Sequence, residues 1–249
     1  MRVGNPLSFM PLPVILFAII WPTTTACSED GHENPWDTST EEGVCESIGD
    51  YDIGRKNVWI ETEEQLERLH ASGCTTVDGE LRIYFIPGVT DLRRLENIEQ
   101  VNWGIEIAYT EDLKSLEGMQ NLAEYPWLSL HYNSELTDTG ALQAPESARE
   151  VEGFELSISS NESLHVLRGL EGMQTPEFIT IDDNPTLAGI PALDDAYTGD
   201  LDTLFARIRI ERNPNLPQCR VDEILNRLPE DQYISVTGNN DSSALCDGG

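Results

Sequence analysis

The side chains with the most chemical potential in this chain are its cysteines, its histidines and its paired carboxylates. Five cysteines stand at Cys27, Cys45, Cys74, Cys219 and Cys246. The four histidines, His32, His70, His131 and His165, are scattered and do not form a metal-ligand pattern. Asp182-Asp183 and Asp194-Asp195 have the residue types for acid–base or calcium chemistry. Adjacent residues on a strand point to opposite faces, however, and neighbouring carboxylates in so acidic a chain are ordinarily solvated loop. There is no glycine-rich phosphate loop, no Gly-x-Ser-x-Gly and no His-Glu-x-x-His. These readings imply no catalytic residue, no metal and no cofactor, and point to something other than an enzyme.

Charge narrows the partners. Of the 249 residues, 45 are acidic and 15 are Lys or Arg, giving a formal net charge of -30. Such a field repels phosphate backbones, so nucleic acid is excluded as a partner. The same excess suits an acidic secreted protein or one working in saline medium, where counter-ions screen the repulsion.

The N-terminal segment reads as an export signal. Arg2 is followed by the apolar run Leu7–Trp21, which is too short to span a bilayer and contains Pro11 and Pro13. It leads to Thr24-Thr25-Ala26-Cys27, which resembles a bacterial lipobox, with Thr24 where an aliphatic residue is usual. Residues 1–26 are expected to be a signal peptide, with Cys27 as the lipidated anchor to the cell envelope. Lipidation of Cys27 leaves four cysteines, an even set suited to an oxidising compartment. Residues 27–44 are polar and acidic, without hydrophobic period, and read as a flexible tether. The folded body is placed at residues 45–246.

That body is built on a repeat. Apolar-x-apolar triplets recur at Val58–Ile60, Leu81–Ile83, Ile105–Ile107, Leu128–Leu130, Leu156–Ile158, Ile179–Ile181, Ile208–Ile210 and Ile234–Val236. Their last residues fall at 60, 83, 107, 130, 158, 181, 210 and 236, so the steps are 23, 24, 23, 28, 23, 29 and 26. In each strand the flanking pair faces the core and the middle residue faces out. Such a unit cannot bury its apolar side alone, so neighbours must stack. Three residues beyond five of the strands stands an asparagine: Asn133, Asn161, Asn184, Asn213 and Asn239. An amide there can satisfy backbone groups that a tight corner orphans. The equivalent positions in earlier repeats are Ile86 and Thr110, so the ladder is expected to be irregular at that end. A second core side is expected from apolar residues at spacing three: Leu92 to Val101, Leu113 to Leu122 and Leu164 to Met173.

Helical lids close both ends. Thr62-Glu63-Glu64-Gln65 fits a capping box, with Leu66 and Leu69 on one face and Gly73 as the stop. Arg220 to Leu228 carries Val221, Ile224, Leu225 and Leu228 at helical spacing, and Pro229 ends it. Asn161-Glu162-Ser163 and Asn240-Asp241-Ser242 match the glycosylation sequon, which matters only in a eukaryotic host.

The phrases SLEGMQNL (Ser115 to Leu122), GLEGMQ (Gly169 to Gln174) and ERNPNLPQC (Glu211 to Cys219) resemble the L domains of insulin and EGF receptors, and more closely those of bacterial surface lipoproteins. The resemblance covers about residues 45–246. It implies a mainly β fold, a right-handed β-helix or solenoid akin to leucine-rich repeats, with short capping helices. In such an elongated body, Cys45–Cys74 and Cys219–Cys246 would each staple one end. The resemblance further implies a cell-surface module that binds a protein or carbohydrate ligand. The competing readings are an envelope spacer and a polysaccharide-active β-helix enzyme. Ser28 rather than Asp follows Cys27, which by resemblance to the bacterial sorting rule gives an outer-membrane address.

The working surface is expected on the strand face. One outward column is Arg82, Glu106, Ser129, Ser157, Thr180, Arg209 and Ser235; the next is Tyr84, Ala108, His131, Ser159, Asp182, Glu211 and Thr237. Arg82, Tyr84, Glu106, His131, Asp182, Arg209 and Glu211 are its candidate binding residues, with Tyr84 and His131 the amphipathic rings among them. For the anchor, mass spectrometry of the membrane fraction should find a diacylated Cys27 as the mature N-terminus. A soluble chain starting at unmodified Cys27, or one retaining residues 1–26, would overturn the assignment.

Overall fold

Apolar alternation at a fixed step produces one strand per repeat, and the computed structural model places each where that pattern puts it. The structure describes residues 43–48, 56–145, 153–173, 176–197, 206–230 and 232–242, all within the unit Glu41–Gly249. The expected signal peptide, Cys27, nearly all of the tether and Cys246 lie outside the described residues. Among the described residues, no helix is long and apolar enough to cross a membrane.

The fold is mainly β. In chain order the elements are β1 (Val58–Ile60), α1 (Glu63–Ser72), β2 (Thr76–Val77), β3 (Glu80–Tyr84), β4 (Gln100–Val101), β5 (Gly104–Ala108), β6 (Trp127–His131), β7 (Glu155–Ser159), β8 (Phe178–Asp182), β9 (Arg207–Glu211), α2 (Gln218–Leu225) and β10 (Tyr233–Thr237). Short 3-10 turns lie at Arg93–Leu95 and Pro191–Leu193. Eight strands form one wholly parallel sheet in the order β1-β3-β5-β6-β7-β8-β9-β10. The register aligns Leu81, Ile105, Leu128, Leu156, Ile179, Ile208 and Ile234 across it. A smaller parallel pair, β2-β4, lies apart from it, and parallel bridges Ser115↔Asp138, Asp138↔Val166 and Val166↔Gly189 tie later repeats along another line.

The apolar pairs of β3 to β9 are at most 1% exposed, and so are the Leu-spaced residues Leu92, Leu113, Leu116, Leu164, Leu167 and Leu170. Both runs join one core, which satisfies the demand that each repeat bury its apolar side against the next. The last strand is the exception: Ile234 is 42% exposed, because β10 has a neighbour on one side only. Gly118, in the SLEGMQNL phrase, shows how closely repeats approach on the second side. Its φ is +114°, and a Cβ there would meet the Leu92 carbonyl oxygen at 1.8 Å.

The corner after the sheet is set by backbone hydrogen bonding. The residue following each of six strands, Phe85, Tyr109, Tyr132, Ser160, Asp183 and Arg212, has φ between 49° and 57°. That left-handed turn costs a non-glycine residue roughly 1 kcal/mol or more. It is held because the N–H of the corner residue bonds the next strand's end, as in Tyr109 to His131 O (3.0 Å) and Tyr132 to Ser159 O (3.1 Å). The following residue then turns inward. Asn133, Asn161, Asn184 and Asn213 are fully buried there. Asn184 donates through Nδ2 to Ile158 O and Asp182 O (both 3.1 Å), while its Oδ1 accepts from Asn161 N (3.1 Å). Asn213 and Asn239 extend the line downstream. Upstream it ends at Thr110, whose N–H and hydroxyl both donate to Asn133 Oδ1. Ile86 takes no part and is buried as an apolar residue. Asn161 being fully buried, its sequon is closed to a glycan.

The lids form as the caps dictate. The Thr62 hydroxyl accepts from Gln65 N, the Gln65 side chain accepts from Thr62 N, and Gly73 closes α1 at φ 66°. α2 begins at Gln218, two residues before the expected start, with Pro217 as N-cap; Val221 and Ile224 are buried and Leu225 and Leu228 pack at the margin. A disulfide joins Cys45 to Cys74 across 29 positions, a closure that stabilises by about 3–4 kcal/mol through the unfolded chain. Cys219 is also disulfide-bonded; Cys246, expected to pair with it, lies outside the described residues.

If the amide line holds the corners, its members are unequal. Asn184→Ala removes the side-chain partner of the buried Ile158 carbonyl and of the buried Asn161 N–H, and one of two donors to Asp182 O, and should cost about 3 kcal/mol in urea unfolding. Asn239→Ala, at the partly exposed end, should cost about 1 kcal/mol. Equal losses would show that the line does not hold the repeats together.

Candidate functional site

The outer face of the large sheet carries charge at its two ends and small polar residues between. At the N-terminal end, Arg82 Nε lies 2.7 Å from Glu80 Oε2 and 3.7 Å from Glu106 Oε2. Its guanidinium stands 5.0 Å over the Trp59 ring. Tyr84 lies beside this group; burial, and then its hydrogen bond to the Glu106 carboxylate, push its hydroxyl well above the ordinary tyrosine range. At the other end, Asp182 Oδ2 accepts a hydrogen bond from Arg212 and forms an ion pair with Arg209 at 3.0 Å. Glu211 accepts from Arg209 Nε (3.0 Å) and Arg212 (3.3 Å), and from the Ser235 hydroxyl. The Ser235 hydrogen bond first, then Arg209, hold the Glu211 carboxyl below its usual range.

The seven candidate residues of the face thus fall into two groups. Arg82, Tyr84 and Glu106 come together, with His131 one strand further along, and Asp182, Arg209 and Glu211 come together far from them. Each charged member is already paired with a neighbour, as cross-strand opposite charges tend to be. Between the groups lie Ser129, Ser157 and Thr180. Ser129 was expected to face solvent but is 7% exposed: its short side chain lies between Trp127 and His131 on its own strand and beside Glu106 on the next.

His131 Nδ1 shares a hydrogen bond with Ser159 Oγ on the adjacent strand. An imidazole beside a hydroxyl is one part of nucleophilic chemistry, which also needs donors aimed at a developing oxyanion. The amides nearest this pair are committed: Tyr109 N–H bonds His131 O, and Tyr132 N–H bonds Ser159 O. Among the described residues, no group of three or more His, Cys, Asp or Glu is placed to hold a metal ion. What the arrangement offers is a surface of fixed hydrogen-bonding groups.

A cluster of exposed rings lies at the corner beside the face. Phe85, Tyr109 and Tyr132 are 61%, 44% and 51% exposed. Phe85 stacks on Tyr109 with centroids 5.1 Å apart and planes 13° apart; Tyr109 stacks on Tyr132 at 4.9 Å and 7°. These spacings are those of successive strands, so the sheet sets the column. A shallow groove of ≈ 210 Å³ runs along it, between the rings and Ser160 on one side and Glu111, Ser134 and Glu162 on the other. It adjoins a second hollow formed by Phe85, Ile86, Pro87, Tyr109, Glu111 and Asp112.

This column escapes a reading based on strand alternation. Counting by twos from the outward residues Arg82, Glu106 and Ser129 leads to Tyr84, Ala108 and His131, and the same count from the core residues puts Phe85, Tyr109 and Tyr132 inward, whereas the chain leaves extended geometry at those three positions. The signal was nevertheless present: an aromatic residue directly precedes the inward corner position in three consecutive repeats, Phe85-Ile86, Tyr109-Thr110 and Tyr132-Asn133.

Burial holds the His131 imidazole below its ordinary pKa of 6.5, with Glu106 opposing the shift. The unfolded chain then takes up this proton at higher pH than the folded one. His131 therefore contributes stability that is complete above about pH 6.5 and is lost as pH falls through its lower folded value. An NMR titration of the imidazole should give a midpoint below 6.5, and His131→Asn should lose less stability than the parent as pH falls below that point. A midpoint above 6.5 would mean that Glu106 outweighs burial. No protein-family model matches the chain, and no curated protein or solved structure matches it, so the site is read from its own geometry.

Proposed function

We propose that the chain is an exported surface protein, anchored to the cell envelope through lipid on Cys27, whose residues 45–246 form a binding module of the receptor L-domain type. In this reading the repeats make a right-handed β-solenoid. The chain-ordered parallel sheet, the inward asparagines and the Cys45–Cys74 staple beside the first repeats support it. Its partner is a protein or a carbohydrate met at the cell surface, on the sheet face and the corner beside it.

The observation that carries binding is the aromatic column. Three large rings stacked in the open leave apolar surface in water, whereas a protein with no ligand keeps such patches small. Rings held by the sheet also meet a partner with little ordering left to lose. One observation favours the spacer reading: the charged groups of the face satisfy each other in place.

Photo-cross-linking separates the two. With a photoreactive residue at Ser157 on the face, or at Glu111 beside the rings, cells exporting the protein should yield an adduct of one discrete mass from at least one position. Adducts from Glu111 that vanish in Tyr109→Ala would place the partner at the corner. Adducts from Ser157 that vanish in Tyr84→Ala and His131→Ala would place it on the face. No discrete adduct from either position favours the spacer.

A further inference from the structure

The aromatic column stops one step early. Phe85, Tyr109 and Tyr132 occupy the left-handed corner of three consecutive repeats; the same corner in the next repeats is Ser160 and then Asp183. The face of Tyr132 turned away from Tyr109 therefore looks onto a short side chain. Above Ser160 there is space one repeat thick, about 4.8 Å, which is the thickness of another planar group in the stack.

The charged residues at that space are acidic. Glu111 and Glu162 line the groove, and Asp183 is exposed at the far side of the open step. None of the three side chains makes an ion pair with another described residue, in contrast to Asp182 and Glu211 on the face. Among the described residues no Lys or Arg lines the groove or the hollow beside it, and Arg212, at the corner beyond Asp183, is held by Asp182 and Glu211. The required occupant is flat on one side, so as to lie on Tyr132, and cationic with several N–H donors at its edge, so as to meet carboxylates. A guanidinium has both properties; an ammonium has the charge without the plane. The protein already makes this contact with its own side chains: Arg82 lies 5.0 Å over Trp59, and Arg207 lies 5.7 Å over Phe178.

We propose that the open step between Tyr132 and Asp183 receives an arginine side chain of a partner polypeptide, stacked on Tyr132 as the next member of the column and held by Glu162, with Glu111 drawing the flanking segment along the rings. This rests on the reading of the chain as a binding module and specifies the chemistry of its partner.

The test must separate this contact from general attraction to a chain of net charge -30. The probe is a capped Gly-Arg-Gly peptide, compared with its lysine and citrulline counterparts and with maltoheptaose as a neutral glycan. They are titrated into the intact exported protein while the tyrosine ring resonances are followed by NMR. The arginine peptide should shift the Tyr132 ring and bind about tenfold more tightly than the lysine peptide; the citrulline peptide should be weaker still. Salt at about 1 M, where the screening length is about 3 Å, should weaken binding without removing the arginine preference.

Ser160→Phe is the decisive variant. It fills the step without changing net charge, and the position accepts an aromatic residue because three such residues share its backbone conformation. It should reduce arginine-peptide binding at least about tenfold, as should Tyr132→Leu and the pair Glu111→Gln with Glu162→Gln. Equal binding of arginine and lysine peptides, unaffected by Ser160→Phe, would show only the general field and overturn the inference. Maltoheptaose shifting Tyr132 while the arginine peptide does not would overturn it too, yet leave the binding-module reading standing with a glycan as ligand. Failure of every probe to move Tyr132 would also reject the arginine site; the adducts from Glu111 and Ser157 then decide separately whether the module reading survives.

Discussion

The structure depends on the buried polar line at the corners from Thr110 to Asn239. A chain that turns sharply at the end of a strand leaves carbonyls and N–H groups facing a core made of Leu and Ile, where each unpaired group costs about 1–3 kcal/mol. One asparagine per repeat meets that cost for its own repeat and for both neighbours: Asn161 serves Leu130 O and Ser159 O, and joins Asn133 to Asn184. With the corner fixed, the strand before it is in register, the residue between strand and asparagine is forced into the left-handed region, and its side chain is turned outward. The exposed rings of Tyr109 and Tyr132 stand at corners closed by this buried polar line, and Phe85, before Ile86, takes the same left-handed turn where the line does not reach.

Much of this is legible in the residues. The eight apolar triplets fix the eight strands because a period of two with both flanks apolar has one way to face a core. The capping box at Thr62 and the stop at Gly73 likewise follow from local hydrogen bonding and local backbone freedom. The Leu-spaced runs are legible for another reason: burying them in every repeat leaves no other place for them. What the residues do not reveal is whatever depends on two repeats together. The stacking of Tyr109 between Phe85 and Tyr132 needs the register and the left-handed turn at once. The coverage of Ser129 needs Glu106 from one strand and His131 from its own.

The expected face shows the same limit from the other side. Arg82, Glu106, Asp182, Arg209 and Glu211 lie on strands of one sheet, but residue type alone does not say whether charges on adjacent strands meet a partner or each other. Here Arg209 and Arg212 are divided between Asp182 and Glu211, so a ligand would have to displace bonds already made. Among the described residues no arginine reaches Glu111 or Glu162, and that difference in occupancy sets the groove apart from the self-satisfied face.

The amide line also has a direction. From Asn133 to Asn213 each backbone N–H donates to the next repeat's Oδ1, so the side-chain carbonyls from Asn161 to Asn239 point the same way and their dipoles add, as peptide dipoles add along a helix. The upstream end is then a bare acceptor, and Thr110 closes it with two donors from one residue. Ile86 can offer only its backbone at the equivalent place, so the earliest repeats stand outside the polarised column and are covered instead by α1 and the Cys45–Cys74 bond. The two ends of the body are therefore chemically unlike. A further Asn-bearing repeat could be spliced into the downstream array with its amide already correctly oriented, whereas one placed before Thr110 would meet a hydroxyl in place of the next amide oxygen.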